Sequence, residues 1–300
     1  SNMDYVLVTY LAADRSALSY AVGEWARVWP LSRLIRAMGA YFIRRKSRDD
    51  LYRTVLARYV QQATGAGVTQ AVFPEGGLSR DGSLGAPKLG ILSYIVDGRE
   101  NAERDVVFVP VSLNYDRVVE DRVLVAAGRT GKQRFRGSII EGAQFGLRYV
   151  WRRIRGKVGR FGEAGVVFGR PISLSSVVEE SGEDLVTLIA DTLFGKIRQG
   201  LPVMTVPLLL SAIVSLGRPA GLAEIMAEAE AILARLGDET VVFTERTLEE
   251  SRVQDVLRIL VLREFLDCEG EVYSILSHDV VSYYVSSIAT HLGTDFEQAV

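Results

Sequence analysis

Apolar and polar positions change period repeatedly along the first half of the chain, from helical to strand-like and back. Residues Asp4 to Leu11 are mostly apolar and bulky, and Ala12 to Val22 has a helical texture. Leu31, Leu34, Ile35 and Met38 recur at helical spacing and stop at Gly39, which reads as a C-terminal cap. Ala40 to Ile43 is short, aromatic and β-branched, and predicts a strand that runs into the cations Arg44, Arg45, Lys46 and Arg48. Asp49 or Asp50 caps a helix over Leu51 to Thr64, with Leu51, Val55, Leu56 and Tyr59 along one face. Val68 to Phe73 predicts a strand and Leu89 to Val96 a helix. Asp105 to Val111 is an almost continuous apolar run, expected to be a strand buried on both faces. Ala164 to Phe168 predicts one more strand, ended by Gly169-Arg170-Pro171. This alternation predicts an α/β fold: a mostly parallel mixed sheet flanked by helices. From about Ser173 strand patterns disappear. Helical periods follow at Leu185 to Ile197, Leu208 to Leu216, Leu222 to Leu236, Val253 to Phe265 and Val280 to Leu292. The expected division is an α/β domain over residues 1–175 and an all-α C-terminal domain over 176–300.

One segment carries most of the chemistry. The strand pattern ending at Phe73 breaks into Pro74-Glu75-Gly76-Gly77, followed by Ser79, Arg80, Asp81-Gly82, Gly85 and Lys88. Adjacent glycines let backbone N–H groups approach a ligand closely. One carboxylate and two cations around a Gly-rich turn suit a phosphorylated small molecule, although a polar hairpin loop has the same composition. Arg44-Arg45, the Glu75 to Arg80 turn with Lys88, and Pro110 to Tyr115 all lie at the ends of predicted strands. In open α/β sheets ligands collect outside those ends.

Composition narrows the possibilities. The chain has 300 residues, 48% of them apolar, enough for a sizeable core. Its 35 Lys and Arg against 37 Asp and Glu give a net charge of −2, which does not indicate nucleic-acid binding. The cations cluster locally: Arg129, Lys132, Arg134, Arg136, Arg148, Arg152, Arg153, Arg155, Lys157 and Arg160 share a stretch whose only acid is Glu141. That stretch is either a solvated face or a surface for anionic lipid or an acidic carrier protein. A single cysteine, Cys268, excludes an internal disulfide and a cysteine-rich metal site, and two histidines, His278 and His291, give no His-rich one. No metal or cofactor is expected. The uncharged run from Gln199 to Gly217 contains Pro202 and Pro207 and is read as a buried helix rather than a membrane crossing. Tyr20, Trp25 and Trp29 are either an interfacial patch or core.

Three blocks in order carry a family resemblance: Gly39-Ala40-Tyr41-Phe42-Ile43-Arg44-Arg45; Phe73-Pro74-Glu75-Gly76-Gly77-Leu78-Ser79-Arg80 with Gly82, Lys88 and Gly90; and Val109-Pro110-Val111-Ser112. Over residues 1–172 the chain resembles the bacterial membrane-associated glycerol-3-phosphate acyltransferases of the glycerolipid acyltransferase superfamily. The first block of that superfamily is a histidine, four residues, then an aspartate. Asp4 resembles its aspartate, and the histidine would fall two positions before Ser1. The sequence is therefore expected to be a fragment that begins inside the block. Leu78 departs from the pattern, since many members have arginine there, which removes one phosphate contact.

The resemblance implies transfer of an acyl group from coenzyme A or acyl-carrier protein to the sn-1 hydroxyl of glycerol 3-phosphate. A histidine takes the hydroxyl proton and Asp4 orients it. Arg44, Arg45, Arg80 and Lys88 are assigned to the phosphate. Glu75 holds an arginine or a substrate hydroxyl, and Ser79 belongs to the same substrate-binding turn. Gly76 or Gly77 offers N–H groups to phosphate or to the oxyanion of the thioester carbonyl. His278 and His291 are expected to be surface or helix-packing residues. The implied location is peripheral, on the cytoplasmic face of the cell membrane, with a lipid surface as partner. Two other readings stand beside this one: an acyltransferase for lysophosphatidate or dihydroxyacetone phosphate, and a catalytically silent lipid- or phosphate-binding module. A nucleotide P-loop is disfavoured, because the Gly-rich segment from Phe73 to Lys88 lacks the Gly-Lys-Ser/Thr ending.

Overall fold

Ser19–Gly23 (β1), Ala40–Ile43 (β2) and Gln70–Ala71 (β3) pair in parallel, in the order β2-β1-β3. Tyr20 stands opposite Ala40 on one side and Ala71 on the other. The computed structural model describes residues 3–23, 31–37, 39–44, 49–101, 103–130, 162–180, 184–237, 240–242 and 248–293. Trp25, Trp29, Met38, Arg45, Lys46, Arg48 and the basic stretch from Lys132 to Arg160 lie outside the described residues. By contacts the chain falls into two units, each assembled from separate stretches. Unit 1 is Ser1–Leu78, Gly85–Val111 and Phe168–Ile197; unit 2 is Ser79–Leu84, Ser112–Val167 and Arg198–Val300.

In unit 1, helices α1 (Asp4–Ala12), α2 (Leu31–Ala37), α3 (Asp50–Gly65) and α4 (Gly90–Asp97) accompany the sheet. Ala12 to Val22 is not one helix: the helix ends at Ala12 and β1 begins at Ser19. Apolar side chains fall on every side of α1, so no amphipathic period marks where it starts and stops. Gly39 ends α2 as expected, at φ +90°, with its N–H on the Arg36 carbonyl at 2.9 Å. Asp49 caps α3, its carboxylate accepting the Leu51 and Tyr52 N–H groups. The face of α3 that buries is set by Val60, whereas Leu51, Val55 and Tyr59 are exposed. Tyr20 is buried and packs on Tyr5, so it is core. Val107–Phe108 (β4) pairs antiparallel with Ile172–Ser173 (β7), beside a cluster of Val96, Leu174 and Ile189. The continuous buried strand expected over Asp105 to Val111 is broken. Pro110 separates β4 from Val111–Tyr115 (β5), and Val107 and Val109 are exposed. Proline lacks the N–H that would carry a ladder across that point. β5 pairs instead with Ala164–Phe168 (β6).

Unit 2 is built around the helix Thr205–Leu216, in which Leu208, Leu209, Leu210 and Ala212 are completely buried. It packs against the helices Leu222–Arg235 and His278–Ser286. Among the described residues, no helix is long and apolar enough to cross a membrane. Pro207 is tolerated because it falls in the first turn, where its missing N–H has no intrahelical partner. Buried Asp116 caps this helix from a distance, accepting the Val206 N–H at 3.2 Å as well as that of Glu163. Burial pushes the Asp116 carboxyl up. A second buried carboxylate, Asp121, accepts two N–H bonds from Arg263 at 3.0 and 2.7 Å and the Tyr284 hydroxyl at 2.6 Å. The Tyr284 oxygen in turn accepts the Val118 N–H at 2.9 Å. Burial, then the neighbouring Asp121, pushes the Tyr284 hydroxyl up and keeps it a donor.

The C-terminal region is mostly helical and also holds a small antiparallel sheet of Ala220–Gly221 (β8), Leu266–Glu269 (β9) and Val272–Ile275 (β10), in the order β8-β10-β9. Gly270 and Glu271 form its hairpin turn, both at positive φ as a two-residue turn requires. His278 is exposed, and half-buried His291 donates from Nε2 to the Leu201 carbonyl at 2.9 Å.

Truncating Leu209 to alanine opens a cavity at a site with no exposed surface. Denaturant unfolding of Leu209→Ala is expected to show a loss of about 2–5 kcal/mol. A second expectation concerns pH. Burial depresses the His291 pKa in the folded chain, so its contribution is complete above the unfolded value of about 6.5. It is lost as pH falls through the lower folded value. The melting temperature should drop between pH 7 and pH 5 less steeply in His291→Gln than in the parent; equal slopes would contradict this.

Candidate functional site

Parallel pairing sends the chain out of all three strands at one edge of unit 1. Arg44 follows β2 there, and Val72-Phe73 follow β3. β1 lies between, which separates the two exits by about 10 Å. α1 adds Asp4. The chain leaving α1 abuts the amino edge of the sheet, where Ser16 Oγ donates to Thr69 Oγ1 at 2.7 Å. Asp4 stands at the other end of α1, about 12 Å of helix away.

After β3 the chain turns sharply. The Gly76 N–H donates to the Phe73 carbonyl at 3.0 Å, and Gly76 has φ +63°, a conformation other residues rarely adopt. The turn is held from downstream: Glu75 Oε1 accepts the Gly85 N–H at 2.5 Å, and the Lys88 N–H donates to the Pro74 carbonyl at 2.8 Å. Glu75 therefore braces the loop. The Lys88 side chain lies over Gly76, where an added methyl would meet its Cδ at 2.9 Å and its Nζ at 3.4 Å. Gly77 is exposed with open space above it. Among the described residues nothing accepts the Gly77 N–H, while that of Gly76 is taken. Gly77 N–H and Lys88 Nζ thus belong to one turn, a donor and a cation suited to an anion.

Arg44 is steered by α3. Its N–H donates to the Tyr52 hydroxyl at 2.8 Å, and its guanidinium lies 5.8 Å from the centre of the Tyr52 ring. Beneath it, Tyr41 meets the edge of Tyr59 at 5.1 Å, and burial pushes the Tyr41 hydroxyl up to about 12. Of the residues predicted from sequence, unit 1 brings Glu75, Gly76, Gly77 and Lys88 into one turn and places Arg44 on the same sheet edge. Arg45 lies outside the described residues.

Ser79 and Arg80 belong to unit 2. Ser79 Oγ accepts the Gly82 N–H at 2.9 Å, and Asp81 Oδ1 accepts from the Ser83 N–H and from the Ser79 and Ser83 hydroxyls. Partial burial opposes ionisation of Asp81, but those hydrogen bonds together hold its carboxyl below the usual range. Gly82, at φ +86°, lets the loop press against the backbone of Tyr283; any side chain there would run into the Tyr283 carbonyl oxygen. Gly128 of the helix Asp121–Thr130 (α5) lies against the Arg80 carbonyl less tightly, where an added methyl would stand 3.3 Å from the oxygen. Arg80 so becomes one wall of a cleft of about 1010 Å3, shared with Arg129 and Arg198.

Arg198 was not legible as a site residue. It lies in the last turn of the helix Leu185–Gln199, where a cation reads as a complement to the helix dipole. Arg129 appeared only as one member of the basic stretch. No local pattern signals that either meets Arg80.

Residues 1–114 match the acyltransferase family model. A glycerol-3-phosphate acyltransferase of Shewanella sp. (strain ANA-3) is 35% identical over 198 residues, covering 64% of this chain and 23% of that protein. One of Shewanella loihica is 36% identical over 187 residues, covering 60% of this chain and 22% of that protein. One of Shewanella oneidensis is 34% identical over 198 residues, with the same 64% and 23% coverage. The chain thus spans under a quarter of the length of these curated relatives, and its similarity to them runs well beyond the acyltransferase match.

Proposed function

We propose that this chain is part of a glycerol-3-phosphate 1-O-acyltransferase that works in glycerolipid synthesis. The observation that carries the reading is the turn after β3, in which the Gly77 N–H has no acceptor among the described residues and Lys88 folds over Gly76, in a segment similar to enzymes of that name. Asp4 orients the histidine that deprotonates the sn-1 hydroxyl. The hydroxyl oxygen attacks the thioester carbonyl of acyl-CoA or acyl-carrier protein. A C–O bond forms, the C–S bond breaks, and the imidazolium returns the proton to the departing thiolate. Lys88, with Arg44 and Arg45, is assigned to the phosphate, and the Gly77 N–H to phosphate or oxyanion. The acylated product is an amphiphile, which favours work against the cytoplasmic face of a membrane.

The test is steady-state kinetics on the gene product that carries this sequence, with Lys88→Ala. Loss of a desolvated phosphate contact is worth about 2–5 kcal/mol. The KM for glycerol 3-phosphate should rise at least tenfold while that for the acyl donor stays within about twofold. Equal rises in both would contradict the assignment. Acylation of lysophosphatidate or dihydroxyacetone phosphate in preference to glycerol 3-phosphate would replace the acceptor.

A further inference from the structure

Tyr52 touches Arg44 twice. Its hydroxyl accepts the Arg44 N–H at 2.8 Å, just past the end of β2, and its ring lies under the Arg44 guanidinium at 5.8 Å. One side chain therefore fixes both the backbone and the charge of the same arginine. Tyr52 is itself held: it is half-buried, and its N–H donates to the Asp49 carboxylate that caps α3. The far end of α3 is tied to the strand that leads into the Glu75 to Lys88 turn. The Gln70 amide of β3 donates to the Thr64 hydroxyl at 2.7 Å, and that hydroxyl donates to the Val60 carbonyl at 2.8 Å. α3 also packs against α4, which begins just after Lys88. The fit is close, since an added methyl at Gly98 would meet Gln61 Cγ at 3.0 Å. All of these residues belong to unit 1. One helix thus supports Arg44 at one end and braces the segments on either side of the Lys88 turn. Contact with a ring engages the charge of a guanidinium and uses none of its N–H donors. An arginine ordered in advance also loses less freedom when it takes up an anion.

We infer that Tyr52 is a positioning residue for the phosphorylated acceptor, holding Arg44 in place at the exit of β2. The inference rests on the proposed reading of Arg44 as a phosphate ligand, and adds to it a residue that acts through Arg44 rather than on the substrate. The two contacts divide the work. The hydroxyl fixes where Arg44 leaves the ladder, and the ring limits where the guanidinium swings. Tyr59, further along the same helix, packs on Tyr41 instead and serves as a control for the loss of an aromatic side chain from α3.

Steady-state kinetics on the gene product that carries this sequence tests this. Tyr52→Leu should raise the KM for glycerol 3-phosphate about fivefold or more, while kcat and the KM for the acyl donor stay within about twofold of the parent. Tyr52→Phe, which keeps the ring, should raise it less, by about twofold. In an Arg44→Ala background neither change should add anything. Tyr59→Leu should leave the KM for glycerol 3-phosphate within about twofold of the parent. An unchanged KM in Tyr52→Leu, an equal rise for the acyl donor, or as large a rise in Tyr59→Leu would overturn the inference. So would a further rise when Tyr52→Leu is added to Arg44→Ala. Should Tyr52→Leu be too unstable to assay, the rise in Tyr52→Phe and its loss in the Arg44→Ala background decide the matter in the same way. If Lys88→Ala raises the KM for glycerol 3-phosphate and Arg44→Ala does not, the inference fails and the proposed function stands. If neither raises it, both fail.

Discussion

Parallel strand pairing is the constraint from which the candidate chemistry follows. Because β1, β2 and β3 run the same way, every chain exit from the sheet falls on one edge. Polar residues placed directly after an apolar strand are therefore gathered without any long-range polar contact to bring them together. The short length of β3 sharpens the effect, since the chain leaves the ladder at Ala71 and can turn at once. A positive-φ glycine at position 76 then lets Lys88 fold onto the backbone, where a side chain would have kept it away. The chemistry of the turn is thus a consequence of what Gly76 lacks.

Unit 2 solves a different problem. Its central helix is so apolar that it has no polar side chain to cap its own start, and Met204 at that position offers none. Asp116 supplies the acceptor from the end of β5. Asp121 plays a comparable part for the C-terminal helices through Arg263 and Tyr284. Removing one partner of such a buried pair leaves an uncompensated charge, so these contacts bind distant stretches of sequence to one arrangement. α5 and the helix His278–Ser286, which wall the cleft, are held by that network.

Much of unit 1 was legible in the sequence because its signals are local. Ala40–Ile43 is a strand on composition alone, Gly39 ends its helix for a backbone reason, and Asp49 caps α3 by direct side-chain contact. The errors came where local pattern is silent. α1 is apolar all round, so its boundaries were misplaced, and Pro110 broke a run whose hydrophobicity looked continuous. The exposed stripe of Leu51, Val55 and Tyr59 has the same spacing as a buried one. The hairpin at Gly270-Glu271 was hidden among strong helical periods. The turn of Glu75, Gly76, Gly77 and Lys88 could be named from sequence, but which N–H remained available depended on the Phe73 carbonyl. Arg198 depended entirely on tertiary placement.

The central claim is that the turn after β3 receives the phosphorylated acceptor through Gly77 and Lys88. Backbone amide NMR of the chain, titrated with glycerol 3-phosphate, tests it most directly. The account predicts a saturable downfield shift of the Gly77 amide proton, abolished by Lys88→Ala. Saturable binding that leaves the Gly77 resonance unmoved would contradict it.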